Sequence, residues 1–138
     1  MKLTIYCDGG ARGNPGPAAS AFAVEKDGKV IYKNAKYLGS ATNNIAEYNA
    51  VTLALGWLSK SSSIESRVSS IELILDSELV AKQLSGLYKV KNQNLKKLFD
   101  TAKDLEEKIK IKISYSVVPR TKNKLADFLV NETLDSNL

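Results

Sequence analysis

The sequence predicts an α/β fold in which helices pack against a mixed sheet. Three observations point there. The opening part of the chain is β-prone and interrupted by turn signals. The remainder alternates short apolar runs with segments of helical periodicity. Together they give the order β-β-β-α-β-α-α-β-α, in which a hairpin-linked run of strands is followed by strands separated by helices.

Each element has a local reason. Leu3 to Cys7 is an apolar, β-prone run that meets a turn signal at Asp8-Gly9-Gly10. After a Gly/Pro-rich loop, Ala18 to Glu25 and Lys29 to Leu38 read as two strands, joined through the Asp27-Gly28 hairpin pair. From Asn44 to Ser59, Ile45, Tyr48, Thr52 and Leu55 recur at helical spacing, with Val51, Leu58 and Trp57 widening the stripe. The serine-rich stretch from Ser59 to Ser70 reads as a loop. Ile71 to Leu75 suits a strand buried on both faces. Ser77 to Leu84 is a short helix ended by Ser85-Gly86. Leu95, Leu98, Phe99, Ala102, Leu105 and Ile109 mark an amphipathic helix. Lys110 to Val118 alternates as a strand, and Lys122 to about Asp135 closes the chain as a helix.

No internal repeat or composition shift divides the 138 residues, so residues 1–138 read as one domain. No run nears the ~18 apolar residues that a membrane span needs, and the N-terminus lacks the pattern of a signal peptide. The single cysteine, Cys7, cannot form an internal disulfide, which suits a reducing cytoplasm. The net charge of +5 fits a polyanionic partner without naming one. The absence of histidine is more decisive, because it removes the commonest zinc ligand, the Ser-His-Asp triad and any imidazole base. The chemistry left is that of carboxylates, lysine, arginine, hydroxyls or an oxygen-bound metal.

Four acids stand at informative places. In sheets of this kind, sites collect at the carboxyl ends of strands, where Asp8 and Asp76 follow apolar runs. Glu47 and Asp127 lie near the starts of helices. Each also has a local explanation: a turn residue at Asp8, a capping box of Asn44 with Glu47, an N-cap at Asp76, and a favourable helix-dipole position at Asp127. Clustered carboxylates repel one another and are tolerated mainly where a cation compensates them. Magnesium takes such hard oxygen ligands and leaves positions open for phosphate. Spacing alone does not show that the four converge.

Whole motifs carry more. Asp8-Gly9-Gly10-Ala11-Arg12-Gly13-Asn14-Pro15-Gly16-Pro17 resembles the opening signature of type 1 ribonucleases H. Thr42 to Tyr48 is similar to that family's second motif and Leu73 to Ser77 to its third. Val118-Pro119-Arg120 with Asn123 to Asp127 is similar to its fourth. The resemblance spans essentially the whole chain, with the motifs in the family's order. It implies a five-stranded mixed sheet, three antiparallel strands and then two parallel, flanked by helices. It also implies an endoribonuclease that cuts the RNA strand of RNA/DNA hybrids, leaving a 5′-phosphate and a 3′-hydroxyl. Asp8, Glu47, Asp76 and Asp127 would hold two Mg2+ ions, or Mn2+ in their place, with Asp8 bridging and Glu47 near the 2′-hydroxyl of the RNA. Gly9, Gly10, Asn14, Thr42, Asn43 and Asn44 match substrate-contacting positions, although a helix N-cap would account for Asn44 as well.

Two departures stand out. Many relatives carry a loop histidine before the last aspartate; here the neighbourhood offers Arg120, which resembles a short-loop branch of the family. Arginine cannot act as a base but can stabilise phosphate charge or help product leave. The long basic protrusion of some relatives is also missing, and only Leu87 to Asn94 follows Gly86, with Lys89 and Lys91 as candidate contacts to the DNA strand. No separate hybrid-binding domain precedes Met1, so a monomer with modest, salt-sensitive affinity is expected. The rival readings are the same chemistry on double-stranded RNA, a catalytically silent nucleic-acid-binding domain, and, more distantly, a transposase or integrase core.

Overall fold

The computed structural model describes residues 1–61 and 67–138. Five strands form one sheet: β1 (Lys2–Ala11), β2 (Gly16–Lys26), β3 (Lys29–Ala41), β4 (Ser70–Leu75) and β5 (Lys112–Val117). Among the described residues four α-helices accompany them, α1 (Asn43–Ser59), α2 (Glu78–Leu84), α3 (Gln93–Lys108) and α4 (Lys124–Asp135), with a 3-10 turn at Arg120–Lys122. Within the serine-rich stretch, residues 62–66 lie outside the described residues.

The sheet order is β3-β2-β1-β4-β5. β1 pairs antiparallel with β2 and parallel with β4, β2 pairs antiparallel with β3, and β4 pairs parallel with β5. The mixed sheet read from the sequence is therefore the one observed. At the β2–β3 hairpin, Asp27 and Gly28 both have positive φ, 52° and 78°, the backbone that a two-residue turn of this twist requires.

Alternation along β1 divides the two faces. Leu3, Ile5 and Cys7 join Phe22, Val24, Ile71, Leu73 and Leu75 in the larger core, under α1, α2 and α3. On the opposite face Ala19 and Ala21 pack beneath Leu129, Val130 and Leu134 of α4. These alanines are small, which lets α4 lie close to β1 and β2. α1 is buried well beyond a single stripe, through Ala46, Tyr48, Ala50, Val51, Ala54, Leu55 and Leu58. It is a central helix, packed on the sheet and covered in turn by α3.

Local expectations are corrected at several ends. Asp8-Gly9-Gly10 is not a turn: β1 continues to Ala11, because pairing with β2 runs on through Ala11↔Ala18 after the β4 ladder stops at Tyr6↔Ile74. Thr42, not Asn44, caps α1, its hydroxyl accepting from the Ile45 N–H at 3.2 Å, so the Asn44–Glu47 capping box does not form. Ser77, not Asp76, caps α2, accepting from the Val80 N–H at 3.3 Å. The last helix begins at Lys124, with residues 120–122 wound into the 3-10 turn before it. In each case a neighbouring hydroxyl or a tertiary partner competes successfully for the position that the local pattern favoured.

Candidate active site

Sheet register brings the first two acids together. Tyr6 pairs with Ile74, the last pair of the parallel β1–β4 ladder, and Asp8 and Asp76 follow two residues beyond it, close enough for Asp76 to raise the Asp8 carboxyl. Asp8 is 4% exposed and shares the parity of Tyr6, on the α4 side. Asp127 lies in the first turn of α4, above the same face. Glu47 comes from the opposite layer, at the N-terminal end of α1.

The N-terminus of α1 is seated on the sheet by two features of β1 and β2. Gly9 and Ser20 are cross-strand partners. The Ser20 hydroxyl donates to the Ala46 carbonyl at 2.5 Å. A Cβ on Gly9 would overlap the Ala46 carbonyl and the Glu47 nitrogen, so only glycine lets the helix backbone come down at this point. The sequence reading gave Gly9 to the approach of RNA; the structure uses its bare face to hold Glu47 in position. Gly10, of opposite parity, faces α4, and a Cβ there would meet Val130 Cγ1 at an ordinary 3.7 Å.

The electrostatics record the convergence. The Asp8 carboxyl is pushed up from 3.8 to about 8, first by burial and then by Asp76, Asp127 and Glu47, with Arg120 opposing. Glu47 rises from 4.5 to about 7 through burial and Asp76, countered by a Ser77 hydrogen bond and by Arg120. Asp8 Oδ1 is buried without a hydrogen-bond partner. Arg120 donates from Nε to Asp76 Oδ2 at 3.3 Å, while its own side chain stays 74% exposed. The charges of Asp76, Asp8 and Asp127 raise its pKa further, so it is a permanent cation at the rim.

Among the described residues, no three acidic side chains are already drawn together as metal ligands. Asp76, Asp127 and Glu47 are close enough to oppose the ionisation of Asp8, and Asp76 is turned to Arg120. A divalent cation fits this set: the donors are hard carboxylate oxygens, one of them an orphaned buried atom, and burial together with neighbouring carboxylates disfavours the charges of Asp8 and Glu47.

The substrate candidates fall in two connected hollows. One, of about 140 Å³, is lined by Asp8, Gly9, Gly10, Asn43, Arg120 and Asp127, together with Arg12 and Asn131. The other, of about 360 Å³, is lined by Asn14, Thr42, Asn43, Asn44, Asn92 and Asn94. Asn43 belongs to both. Asn14 Oδ1 accepts from the Asn43 N–H at 2.9 Å, and Asn43 Oδ1 accepts from the Ala11 N–H at 2.8 Å, which locks the β1–β2 loop to the start of α1.

Sequence reasoning missed Arg12, Asn92 and Asn94 as parts of this surface, and Ser20 as the buried hydroxyl that holds the start of α1. Asn92 is legible in retrospect as the N-cap of α3, accepting from Asn94 and Leu95 N–H groups at 2.9 and 3.1 Å. Lys89 and Lys91 are exposed. They ride on a connection held at one end by a Schellman turn at Gly86 (Leu87 N–H to Lys82 C=O, 2.9 Å) and in the middle by Val90, which packs on the core.

Known proteins with this sequence pattern and architecture agree. The RNase H family profile matches residues 1–135. The chain is 38% identical over 138 residues to the bifunctional protein Rv2228c of Mycobacterium tuberculosis, covering 99% of this chain and 36% of that protein. It therefore spans about a third of the length of its mycobacterial relatives. It is 39% identical over 135 residues to ribonuclease HI of Halobacterium salinarum, covering 97% of this chain and 65% of that one. The structure of LC11-RNase H1, isolated from compost and solved in complex with an RNA/DNA hybrid, superposes with a TM-score of 0.91 at 37% identity, covering 98% of each chain. From the profile, the relatives and the sheet with its four acids, the chain belongs to the RNase H family.

Proposed function

We propose that this chain is an endoribonuclease of the short-loop type that hydrolyses the RNA strand of RNA/DNA hybrids, leaving 5′-phosphate and 3′-hydroxyl ends. The observation that carries the reading is a buried, unpartnered Asp8 oxygen within electrostatic reach of Asp76, Asp127 and Glu47, beside a hollow that Asp8, Asp127 and Arg120 line. The hybrid bound to LC11-RNase H1 supports the substrate class.

Asp8, Glu47, Asp76 and Asp127 would hold two magnesium ions, or manganese in their place. Such ions, when bound, offset phosphate charge, make water a stronger nucleophile and stabilise the leaving oxygen. The chain's own contribution is placement. β1 carries Asp8 and the turn after β4 carries Asp76, α1 would bring Glu47 to a 2′-hydroxyl, the group that distinguishes RNA from DNA at one position, and α4 would complete the set with Asp127. Arg120 stands at the mouth with an exposed guanidinium. It places fixed positive charge where phosphate charge builds up or product departs. The amide-rich hollow at Asn14, Thr42, Asn43 and Asn44 offers neutral donors and acceptors to backbone and minor-groove edges next to the cut.

The deciding test is cleavage of matched hybrid, double-stranded RNA and double-stranded DNA at one magnesium concentration. Hybrid should be cut fastest and DNA not at all; faster cutting of double-stranded RNA would reverse the substrate assignment. Absence of metal-dependent cleavage on all three would leave a binding domain. A second prediction concerns Arg120. Arg120→Ala should lower kcat by about 10²-fold with a smaller change in KM, and Arg120→Lys should recover part of the loss, since a point charge lacks the planar fork. Steady-state kinetics on one hybrid checks this, and an unchanged kcat would reduce Arg120 to a surface cation.

A further inference from the structure

Asn123 is a buried polar group beside the site that the mechanism above leaves unused. The sequence pattern includes it in the Asn123-to-Asp127 motif without giving it work. It is 1% exposed, and its Nδ2 donates to the Cys7 carbonyl at 2.8 Å. Cys7 is the residue before Asp8 and the first on β1 past the β1–β4 ladder, which ends at Tyr6↔Ile74. The Asn123 backbone carbonyl accepts from the Asp127 N–H at 3.1 Å, and its own N–H donates to the Arg120 carbonyl at 2.9 Å. One residue thus touches the chain at three catalytic positions: beside Asp8, at Asp127 and at Arg120.

A purely structural role accounts poorly for this side chain. Asn123 precedes α4 but makes no side-chain cap bond to it. Its Oδ1 is buried without a hydrogen-bond partner. For stability alone, burying an amide with one oxygen unsatisfied is a penalty that an apolar side chain of similar volume avoids. What the amide supplies is a directional tie between β1 and the start of α4.

We propose that Asn123 is a positioning residue that sets the separation of the Asp8 and Asp127 carboxylates, and so the affinity of the site for divalent cations. The inference rests on the metal-site reading given above. Residues that orient ligands from behind typically change metal affinity or activity by 10- to 100-fold when removed.

Calorimetric titration with magnesium chloride alone, in the absence of nucleic acid, tests this on wild type, Asn123→Ala and Asn123→Leu. The leucine variant keeps the buried volume should alanine prevent folding. Tyr115→Phe, which removes the Tyr115–Glu106 hydrogen bond (2.5 Å) on α3 and β5, controls for the loss of any interior bond. Each folded Asn123 variant should bind magnesium at least 10-fold more weakly than wild type, with kcat reduced at least 10-fold and KM for hybrid within about twofold. Tyr115→Phe should bind magnesium like wild type. The proposal is overturned if a folded Asn123 variant keeps wild-type magnesium affinity and kcat, or if Tyr115→Phe loses as much. If wild type itself neither binds magnesium nor cuts hybrid, it is the metal-site reading that fails.

Discussion

Asp8→Asn should abolish hybrid cleavage, by on the order of 10³-fold or more, and at the same time make the metal-free protein more stable at pH 8. Both effects come from one carboxylate. Its charge is what a metal ligand would need, and it is also a charge that burial disfavours. Asp8 has a folded pKa of about 8 against an ordinary 3.8, raised by burial and by Asp76, Asp127 and Glu47. A carboxyl raised in this way contributes stability that is fully present below about pH 4 and is lost as the pH climbs through 8. Glu47, at about 7 against 4.5, adds a loss in the same direction over a slightly lower range.

Metal-free wild type should therefore weaken steadily from pH 4 to pH 8. Asp8→Asn should show a flatter profile and gain about 2 kcal/mol at pH 8, roughly 5–10 °C in Tm for a chain of this size. Magnesium should stabilise wild type strongly at pH 8 and little at pH 5, where protons already neutralise Asp8 and Glu47. Thermal melts of both proteins in chelator and in magnesium across this pH range supply the measurement. A metal-free Asp8→Asn no more stable than wild type at pH 8 would contradict the buried-charge account. Hybrid binding by the variant should persist, because phosphate contacts elsewhere carry affinity.

The second large effect is expected at Gly9. Gly9→Ala should cost about 3–5 kcal/mol, on the order of 10–15 °C in Tm, whereas Gly10→Ala should stay within about 1 kcal/mol. The new methyl at Gly9 would overlap the Ala46 carbonyl and the Glu47 nitrogen, and backbone atoms cannot rotate away as a side chain can. The start of α1 would have to lift, straining the Ser20–Ala46 bond and carrying Glu47 away from Asp76. At Gly10 the methyl meets only Val130 Cγ1, at 3.7 Å. Parallel denaturation of the two variants separates the cases. Equal stability of both would show that the helix does not rest on Gly9.

How far the sequence could be read follows from which interactions are local. Apolar periodicity and the Asp27-Gly28 hairpin gave the elements and their order, because the repeat of a strand or helix is written in neighbouring residues. Helix caps were legible only as to type. Thr42, Asn43 and Asn44 are all competent, and it was the backbone lock among Ala11, Asn14 and Asn43 that left Thr42 as the cap. Likewise Asp76 and Ser77 could each start α2, and the hydroxyl does so while the carboxylate turns to Arg120.

By itself, then, the sequence determined the α/β class, the absence of imidazole chemistry, and the places of four acids in motifs that resemble those of the RNase H family. Only the tertiary structure decided that Asp8 lies inside a strand rather than in a turn, that it comes within electrostatic reach of Asp76, and that burial pushes its carboxyl up to about 8. The same holds for Ser20, Gly9 and Asn123. Their partners, Ala46, the α1 backbone and Cys7, are 26, about 37 and 116 residues away. A contact between distant residues leaves no periodic trace in the chain, and burial, which sets the pKa values, exists only once the layers have packed.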